Sequence, residues 1–227
     1  MIKTVIFDLD DTLYNEIDYC KSGFHAVAAF LAEQHDSPPA DCVFDAFWKQ
    51  FSEGNRKTIF NAVLDQFGIA FDDSLIRKLV EVYRTHVPKI TLPDDSRDVL
   101  DQLKTKYTLA LLTDGFLPAQ QLKVQALGIE KYFKSIIYTE QLGRDFWKPS
   151  TAGFEKLLQI LNAKPQNTAY VADNRKKDFI APNKLGFFTV QLIRPARLHT
   201  KSSEEPDAAP QYVIDKISEL PALLEKL

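Results

Sequence analysis

The chain has 227 residues, a length that fits one large domain or one domain carrying an insertion. Hydrophobic residues make up 45%, charged residues make up 26%, and the formal net charge is −3, a balance typical of soluble globular proteins. Because the chain has no long basic block and no apolar run near the ~20 residues of a membrane span, neither a nucleic acid nor a membrane is expected as its main partner.

The two cysteines and the first residues bear on the compartment. Cys20 and Cys42 belong to no CxxC pair, and a disulfide framework would need more cysteines, so both are predicted to be reduced and partly buried. The opening residues, MIKTVIFDLDD, reach acidic residues after a short apolar run, unlike a secretory signal. These features predict a cytoplasmic protein.

The first part of the chain changes from strand to helix. Residues 2–9 form a short apolar run rich in β-branched side chains, which predicts a buried strand that ends in acids. Residues 15–90 instead carry helical stripes, including Phe24, Val27, Ala28 and Leu31. We predict that this segment forms four helices and no strand.

From Leu92 onward the pattern alternates between strand and helix. The predicted strands are Tyr107–Leu112, Ser135–Tyr138, Ala169–Ala172 and Phe187–Leu192, and the predicted helices are Ser96–Lys104, Pro118–Leu127, Thr151–Leu161 and Asp178–Leu185. Such alternation predicts a parallel sheet with helices on both faces. Residues 1–14 and 91–227 would form this α/β domain, residues 15–90 an inserted all-helical domain, and residues 194–211 a long polar loop.

Polar residues suited to chemistry follow the predicted strands. Asp8, Asp10 and Asp11 follow the first strand, Thr113, Asp114 and Gly115 follow the second, and Asp173 and Asn174 follow the fourth, with Asp178 five residues after Asp173. Lys148 and Pro149 precede a helix. Ligands of open parallel sheets bind beyond the carboxyl ends of the strands, so these residues are predicted to share one site.

The chemistry of this set indicates a hard cation and a phosphate. Crowded carboxylates repel one another unless a metal ion or an ammonium group neutralises them. A ligand set with oxygen atoms and without cysteine or histidine suits Mg²⁺. Lys148, the hydroxyl of Thr113 and a backbone amide near Gly115 are suited to phosphate oxygens.

These residues resemble the four motifs of the haloacid dehalogenase superfamily, specifically of its phosphatases. The first motif, DxDxT at the end of a strand, matches residues 8–12, and the second, a Ser or Thr that ends a strand, matches Thr113 in LLTDG. The third, a lysine often followed by proline, matches Lys148, and the fourth, a pair of acids, matches Asp173 and Asp178 in VADNRKKD. All four occur in order, and the resemblance covers nearly the whole chain.

The resemblance implies a Rossmann-like core with a mobile helical cap inserted after the first motif, and Mg²⁺ as the cofactor. It implies that Asp8 is the nucleophile and a magnesium ligand. Asp10 would be the general acid and base and would offer its backbone carbonyl to the metal, and Asp173 would be a further ligand.

The remaining residues would bind the phosphoryl group or support the site. Thr113 and Lys148 would bind the transferring group, with Asp114 and Gly115 beside it. Asn174 and Asp178 would contact the metal ligands without binding the metal ion themselves. Asp178 would position either a water molecule or Lys148.

Two positions depart from the family pattern. The second motif often continues with Asn where this chain has Asp114, and the fourth often has Gly where this chain has Ala172. We expect Asp114 either to favour polyhydroxylated substrates, by accepting their hydroxyl groups, or to bond a backbone amide or cap the next helix.

The predicted function is hydrolysis of a small phosphate monoester, such as a sugar phosphate, through an aspartyl-phosphate intermediate. A mutase that transfers phosphoryl groups between sugar hydroxyls is an alternative that the motifs do not separate. A 2-haloacid dehalogenase is disfavoured because that chemistry in the family lacks the second acid of the first motif, and a non-catalytic module usually loses the nucleophile or a metal ligand. The predicted partner is a small phosphorylated metabolite, and a monomer and a homodimer are both left open.

Overall fold

The computed structural model describes residues 1–34, 38–201 and 203–227. The chain divides into two compact units, one formed by Met1–Ile17 with Thr91–Leu227 and the other by Asp18–Ile90. The assignment of residues 15–90 as a separate, inserted domain remains a prediction.

The first unit contains a parallel sheet, which confirms the predicted fold class. In the part of the chain that the structure describes, the sheet has six strands in the order β3-β2-β1-β4-β5-β6, and each neighbouring pair is parallel. The strands are β1 (Thr4–Phe7), β2 (Thr108–Thr113), β3 (Ser135–Tyr138), β4 (Thr168–Ala172), β5 (Phe188–Leu192) and β6 (Tyr212–Ile214). Strand β6 was not predicted, because three residues after a polar loop are too few to establish a period of two.

The second unit is all-helical over its described residues, as predicted. Its helices are α1 (Glu16–Ala32), α2 (Ala40–Ser52), α3 (Ile59–Gln66) and α4 (Asp73–Thr85). An aromatic cluster forms part of its core, in which the ring of Phe24 lies 5.7 Å from that of Phe47 and 5.4 Å from those of Phe51 and Tyr83. The predicted stripe on α1 is buried as expected, at Phe24, Val27, Ala28 and Leu31.

The first unit also contains helices, all of which lie between strands in the sequence except the last, which follows β6. They are α5 (Asp94–Leu103), α6 (Ala119–Leu127), α7 (Ala152–Leu161), α8 (Ile180–Leu185) and α9 (Leu220–Leu224). Helices α6 and α8 end at Gly128 and Gly186, whose positive φ angles of 63° and 83° are the left-handed conformation that glycine adopts readily at a helix end. The start of α8 was predicted wrongly, since residues 175–179 form turns and Asp178 precedes the helix.

Neither cysteine forms a disulfide bond among the described residues. Cys20 is buried, but the predicted burial of Cys42 was wrong, because Cys42 lies on an exposed face of α2 together with Asp41 and Asp45. None of the helices in the described ranges is long and apolar enough to cross a lipid bilayer.

Candidate active site

The sheet order brings three of the four predicted motifs to one edge. Strand β1 lies between β2 and β4, so the residues after these three parallel strands are neighbours. The ladder continues into the site, where the backbone amide of Asp8 donates to the carbonyl of Val171 at 2.9 Å. Asp8, Thr113 and Asp173 are all buried at this edge.

Lys148 brings the remaining motif into contact with the others. Its ammonium group lies 2.5 Å from Oδ1 of Asp8, 2.7 Å from Oδ1 of Asp178 and 3.0 Å from the hydroxyl of Tyr170. The side chain is 1% exposed. Burial alone would lower the pKa of Lys148, but the carboxylates of Asp178 and Asp8 raise it well above its usual value. Lys148 therefore stays cationic beside the predicted nucleophile.

Three buried carboxyl groups form a cluster that fits a metal ion. Oxygen atoms of Asp8, Asp173 and Asp178 lie within 4.8 Å of one another. Oδ2 of Asp173 is buried and has no hydrogen-bond partner among the described residues. Burial and the neighbouring charges of Asp178 and Asp8 raise the pKa of Asp173 to about 10, and burial raises that of Asp8 to about 7 despite Lys148. A divalent cation would satisfy the unpaired oxygen and offset this repulsion.

Asn174 and Asp178 shape the turn after β4. Oδ2 of Asp178 accepts from the backbone amide of Asn174 at 3.1 Å, while its other oxygen faces Lys148. Oδ1 of Asn174 accepts from the backbone amide of Lys176 at 3.0 Å. Asp178 therefore contacts Lys148 and the turn while it belongs to the carboxyl cluster, whereas the side chain of Asn174 bonds only within the turn among the contacts described.

The side chain of Asp10 has a different set of partners. Its carboxylate accepts from Lys123 Nζ at 2.8 Å, from Gln120 Nε2 at 2.9 Å and from the Tyr14 hydroxyl at 2.5 Å. Sequence reasoning did not assign Gln120 or Lys123 to the site. Their spacing of three residues on α6, directly after the second motif, is the one signal that could have found them.

Thr113 ends β2, as the second motif predicts. Its hydroxyl accepts from Gln120 Nε2 at 2.7 Å. Gly115 follows with a φ of +144°, and a Cβ atom there would lie 2.7 Å from Cγ of Gln120. The close approach of α6 to this loop therefore requires glycine at position 115.

The contacts of Asp114 bear on its two expected roles. Its carboxylate is buried and accepts from the Thr139 hydroxyl at 2.8 Å, the Lys148 backbone amide at 3.2 Å and Lys177 Nζ at 2.7 Å. Both of its oxygens are bonded to the protein, so the geometry favours the other expectation, in which Asp114 bonds a backbone amide. Lys177 itself is half-buried and lies in a turn.

The predicted loop at residues 194–211 contacts the first motif. Ser202, which belongs to this loop, is not among the described residues. Arg194 is buried and donates to the carbonyl of Thr12 at 2.9 Å and to the Ser96 hydroxyl at 2.5 Å. The backbone amide of Leu198 donates to Oδ2 of Asp11 at 2.7 Å. The loop therefore fixes the turn that follows Asp10.

Comparison with known proteins places this geometry in a family. Residues 2–186 match the family model of haloacid dehalogenase-like hydrolases. A glyceraldehyde 3-phosphate phosphatase from Methanopyrus kandleri is 26% identical over 100% of this chain and 99% of its own length. An N-acylneuraminate-9-phosphatase from Mus musculus is 24% identical over 100% of this chain and 95% of its own length.

A solved structure shows the same fold. The crystal structure of YfnB from Bacillus subtilis, bound to magnesium, has a TM-score of 0.68 and 23% identity, and the match covers 98% of each chain. Together with the family match over most of the chain, this confirms the resemblance drawn from the four motifs. The chain belongs to the haloacid dehalogenase-like hydrolases.

Proposed function

We propose that this hydrolase is a magnesium-dependent phosphatase that acts on a small phosphate monoester through an aspartyl-phosphate on Asp8. The observation that carries the proposal is the 2.5 Å contact between Lys148 Nζ and Asp8 Oδ1 beside the carboxyl cluster of Asp8, Asp173 and Asp178. A carboxylate is a weak nucleophile, and a phosphate dianion repels it. A site for attack on phosphorus therefore needs cationic charge at this position.

Mg²⁺ fits the residues that would hold it. Asp8 and Asp173 would be side-chain ligands, Asp178 lies next to them, and Asp10 is proposed to add its backbone carbonyl. The oxygen-only donor set favours Mg²⁺ over a softer metal. When bound, the ion would neutralise the charge of the carboxylates and of the phosphate oxygens.

The chain's own residues would perform two displacements. Thr113 and Lys148 would hold the phosphoryl oxygens while an oxygen of Asp8 forms a bond to phosphorus and the bond to the leaving oxygen breaks. Asp10 would give its proton to that leaving oxygen. It would then take a proton from a water molecule whose oxygen attacks phosphorus, breaking the bond to Asp8 and releasing inorganic phosphate.

The relatives support hydrolysis over transfer of the phosphoryl group to a sugar hydroxyl. The two relatives described above are named as phosphatases of small phosphorylated metabolites. This supports a small phosphorylated metabolite as the substrate here, and water as the acceptor. The cytoplasmic location and the choice between monomer and homodimer stay predictions.

Substitution of the nucleophile tests the proposal. Purified protein should hydrolyse p-nitrophenyl phosphate with Mg²⁺ and stop in EDTA, and radiolabelled substrate should leave an acid-stable, base-labile phosphoprotein after rapid quenching. Asp8→Asn should lower turnover more than about a thousandfold and abolish the labelled protein, because an amide cannot attack phosphorus.

The matched control is Asp98→Asn, which changes an exposed aspartate on α5. It should retain full activity. Undiminished turnover by Asp8→Asn, or full activity of the wild type in EDTA, would overturn the proposal.

A further inference from the structure

We infer that Lys123 and Gln120 on α6 are positioning residues that hold the carboxylate of Asp10 in place for proton transfer. The inference rests on the proposed function, in which Asp10 is the general acid and base. Neither residue belongs to the four motifs. Both contact Asp10 from α6, which begins at Ala119, six positions after Thr113.

Lys123 is buried beside Asp10. Its side chain is 4% exposed, and its ammonium group forms a salt bridge of 2.8 Å with Oδ1 of Asp10. An ammonium group is costly to bury without an opposite charge, and the carboxylate of Asp10 supplies that charge. Burial also restricts the lysine to few rotamers, which fixes the position of its charge.

Gln120 links Asp10 to the proposed phosphate-binding hydroxyl. Its Nε2 atom donates both to Oδ2 of Asp10, at 2.9 Å, and to Oγ1 of Thr113, at 2.7 Å. An amide nitrogen carries two hydrogens, so both bonds form at once. The amide therefore sets the separation between the group that would transfer the proton and a group that would hold the phosphoryl oxygens.

The two oxygens of Asp10 are consequently fixed from different sides. Lys123 and the hydroxyl of Tyr14 hold Oδ1, while Gln120 holds Oδ2. Proton transfer depends on the donor–acceptor distance, so loss of either α6 contact should slow the steps that use Asp10. Substrate binding through Lys148 and Thr113 should change less, and the loss should appear in kcat more than in KM.

The test compares leaving groups. With a simple alkyl phosphate, whose alkoxide needs a proton to leave, Lys123→Met should slow the first step by about tenfold or more. With p-nitrophenyl phosphate, whose leaving group needs no proton, the first step measured by rapid quench should change less than about threefold. Lys156→Met, an exposed lysine on α7, is the control and should match the wild type for both substrates.

A double-mutant cycle separates positioning from general support of the fold. In an Asp10→Asn background, Lys123→Met should cause no further loss, because the group that it positions no longer transfers a proton. If Lys123→Met fails to fold by circular dichroism, Lys123→Gln, which keeps a polar group at this site, replaces it with the same two measurements. Equal losses for both leaving groups, or a full additional loss in the Asp10→Asn background, would overturn the inference. A wild-type enzyme that forms no phosphoprotein would overturn the proposed function instead.

Discussion

Asp114 and Lys177 form an ion pair of 2.7 Å that joins the turn after β2 to the turn after β4. The Asp114 side chain is 2% exposed and that of Lys177 is 34% exposed. Burial would raise the pKa of Asp114, but the charges of Lys148 and Lys177 lower it, so the group remains a carboxylate. The extra acid, at a position where the family often has Asn, is therefore offset by a cation from the fourth motif's turn.

This pair predicts coupled effects on stability. Lys177→Met should lower the free energy of unfolding by about 1–2 kcal/mol, because it leaves the buried carboxylate of Asp114 without this partner. The loss is smaller than for a fully buried ion pair because the lysine is partly exposed to solvent. Asp114→Asn combined with Lys177→Met should cost less than the sum of the single changes. Urea denaturation of the four proteins measures the coupling, with exposed Lys176→Met as the control. Strict additivity would show that the two side chains act independently.

Asp114→Asn should also change activity alike across substrates. Both carboxylate oxygens already accept hydrogen bonds from protein donors, so we do not expect them to bind substrate hydroxyl groups. We expect the same fractional change in kcat/KM for a panel of sugar phosphates and for simple alkyl phosphates. A loss confined to the sugar phosphates would restore the role in substrate selection that the geometry disfavours.

Asp173→Asn should weaken magnesium binding. The buried Oδ2 atom, unpaired among the described residues, is the oxygen that a cation would engage, and an amide supplies less charge. The magnesium concentration for half-maximal activity should rise by about tenfold or more. Mg²⁺ should also raise the melting temperature of the wild type more than that of the variant. Identical titrations by both readouts would remove Asp173 from the ligand set.

Arg194→Met should destabilise the α/β unit. The guanidinium group bonds the carbonyl of Thr12 and the hydroxyl of Ser96, and its loss leaves the buried partners unsatisfied. We expect a loss of about 2 kcal/mol in the free energy of unfolding, and a smaller loss for Arg194→Lys, which keeps the charge but not the fork of donors. Denaturant titration measures the free energy of unfolding of both variants and of the exposed control Lys156→Met. Equal stability of these three proteins would contradict the role assigned to Arg194.

Gly23→Ala should destabilise the helical unit even though alanine favours helix. A Cβ atom at position 23 would lie 2.6 Å from Cδ2 of Tyr83, whose ring packs against Tyr19 and Phe24 and has little room to move. We expect a net loss of about 1–2 kcal/mol. Ala29→Gly, at an exposed site on α1, measures the propensity term alone and should cost about 0.5–1 kcal/mol. A gain in stability for Gly23→Ala would show that the ring moves at no cost.

The fold class and the motif positions could be predicted because their signals are local. Strands of the sheet show as short apolar runs, and helices of the insertion show as stripes with a period of 3.6 residues. The polar residues after β1, β2 and β4 meet because parallel strands direct their carboxyl ends to one edge. The sequence by itself therefore determined where the candidate site lies and which motif residues meet there.

Only the tertiary structure decided the partners of those residues. Lys123 reaches Asp10 across 113 positions, Lys177 reaches Asp114 across 63, and Arg194 reaches Thr12 across 182. No periodicity connects residues so far apart, and each donor could have faced solvent instead. Packing of α6, of the turn after β4 and of the 194–211 loop against the strand ends places these cations in the interior. There, the cost of an unpaired buried charge favours the carboxylates that Lys123 and Lys177 meet, and the carbonyl and hydroxyl oxygens that Arg194 meets.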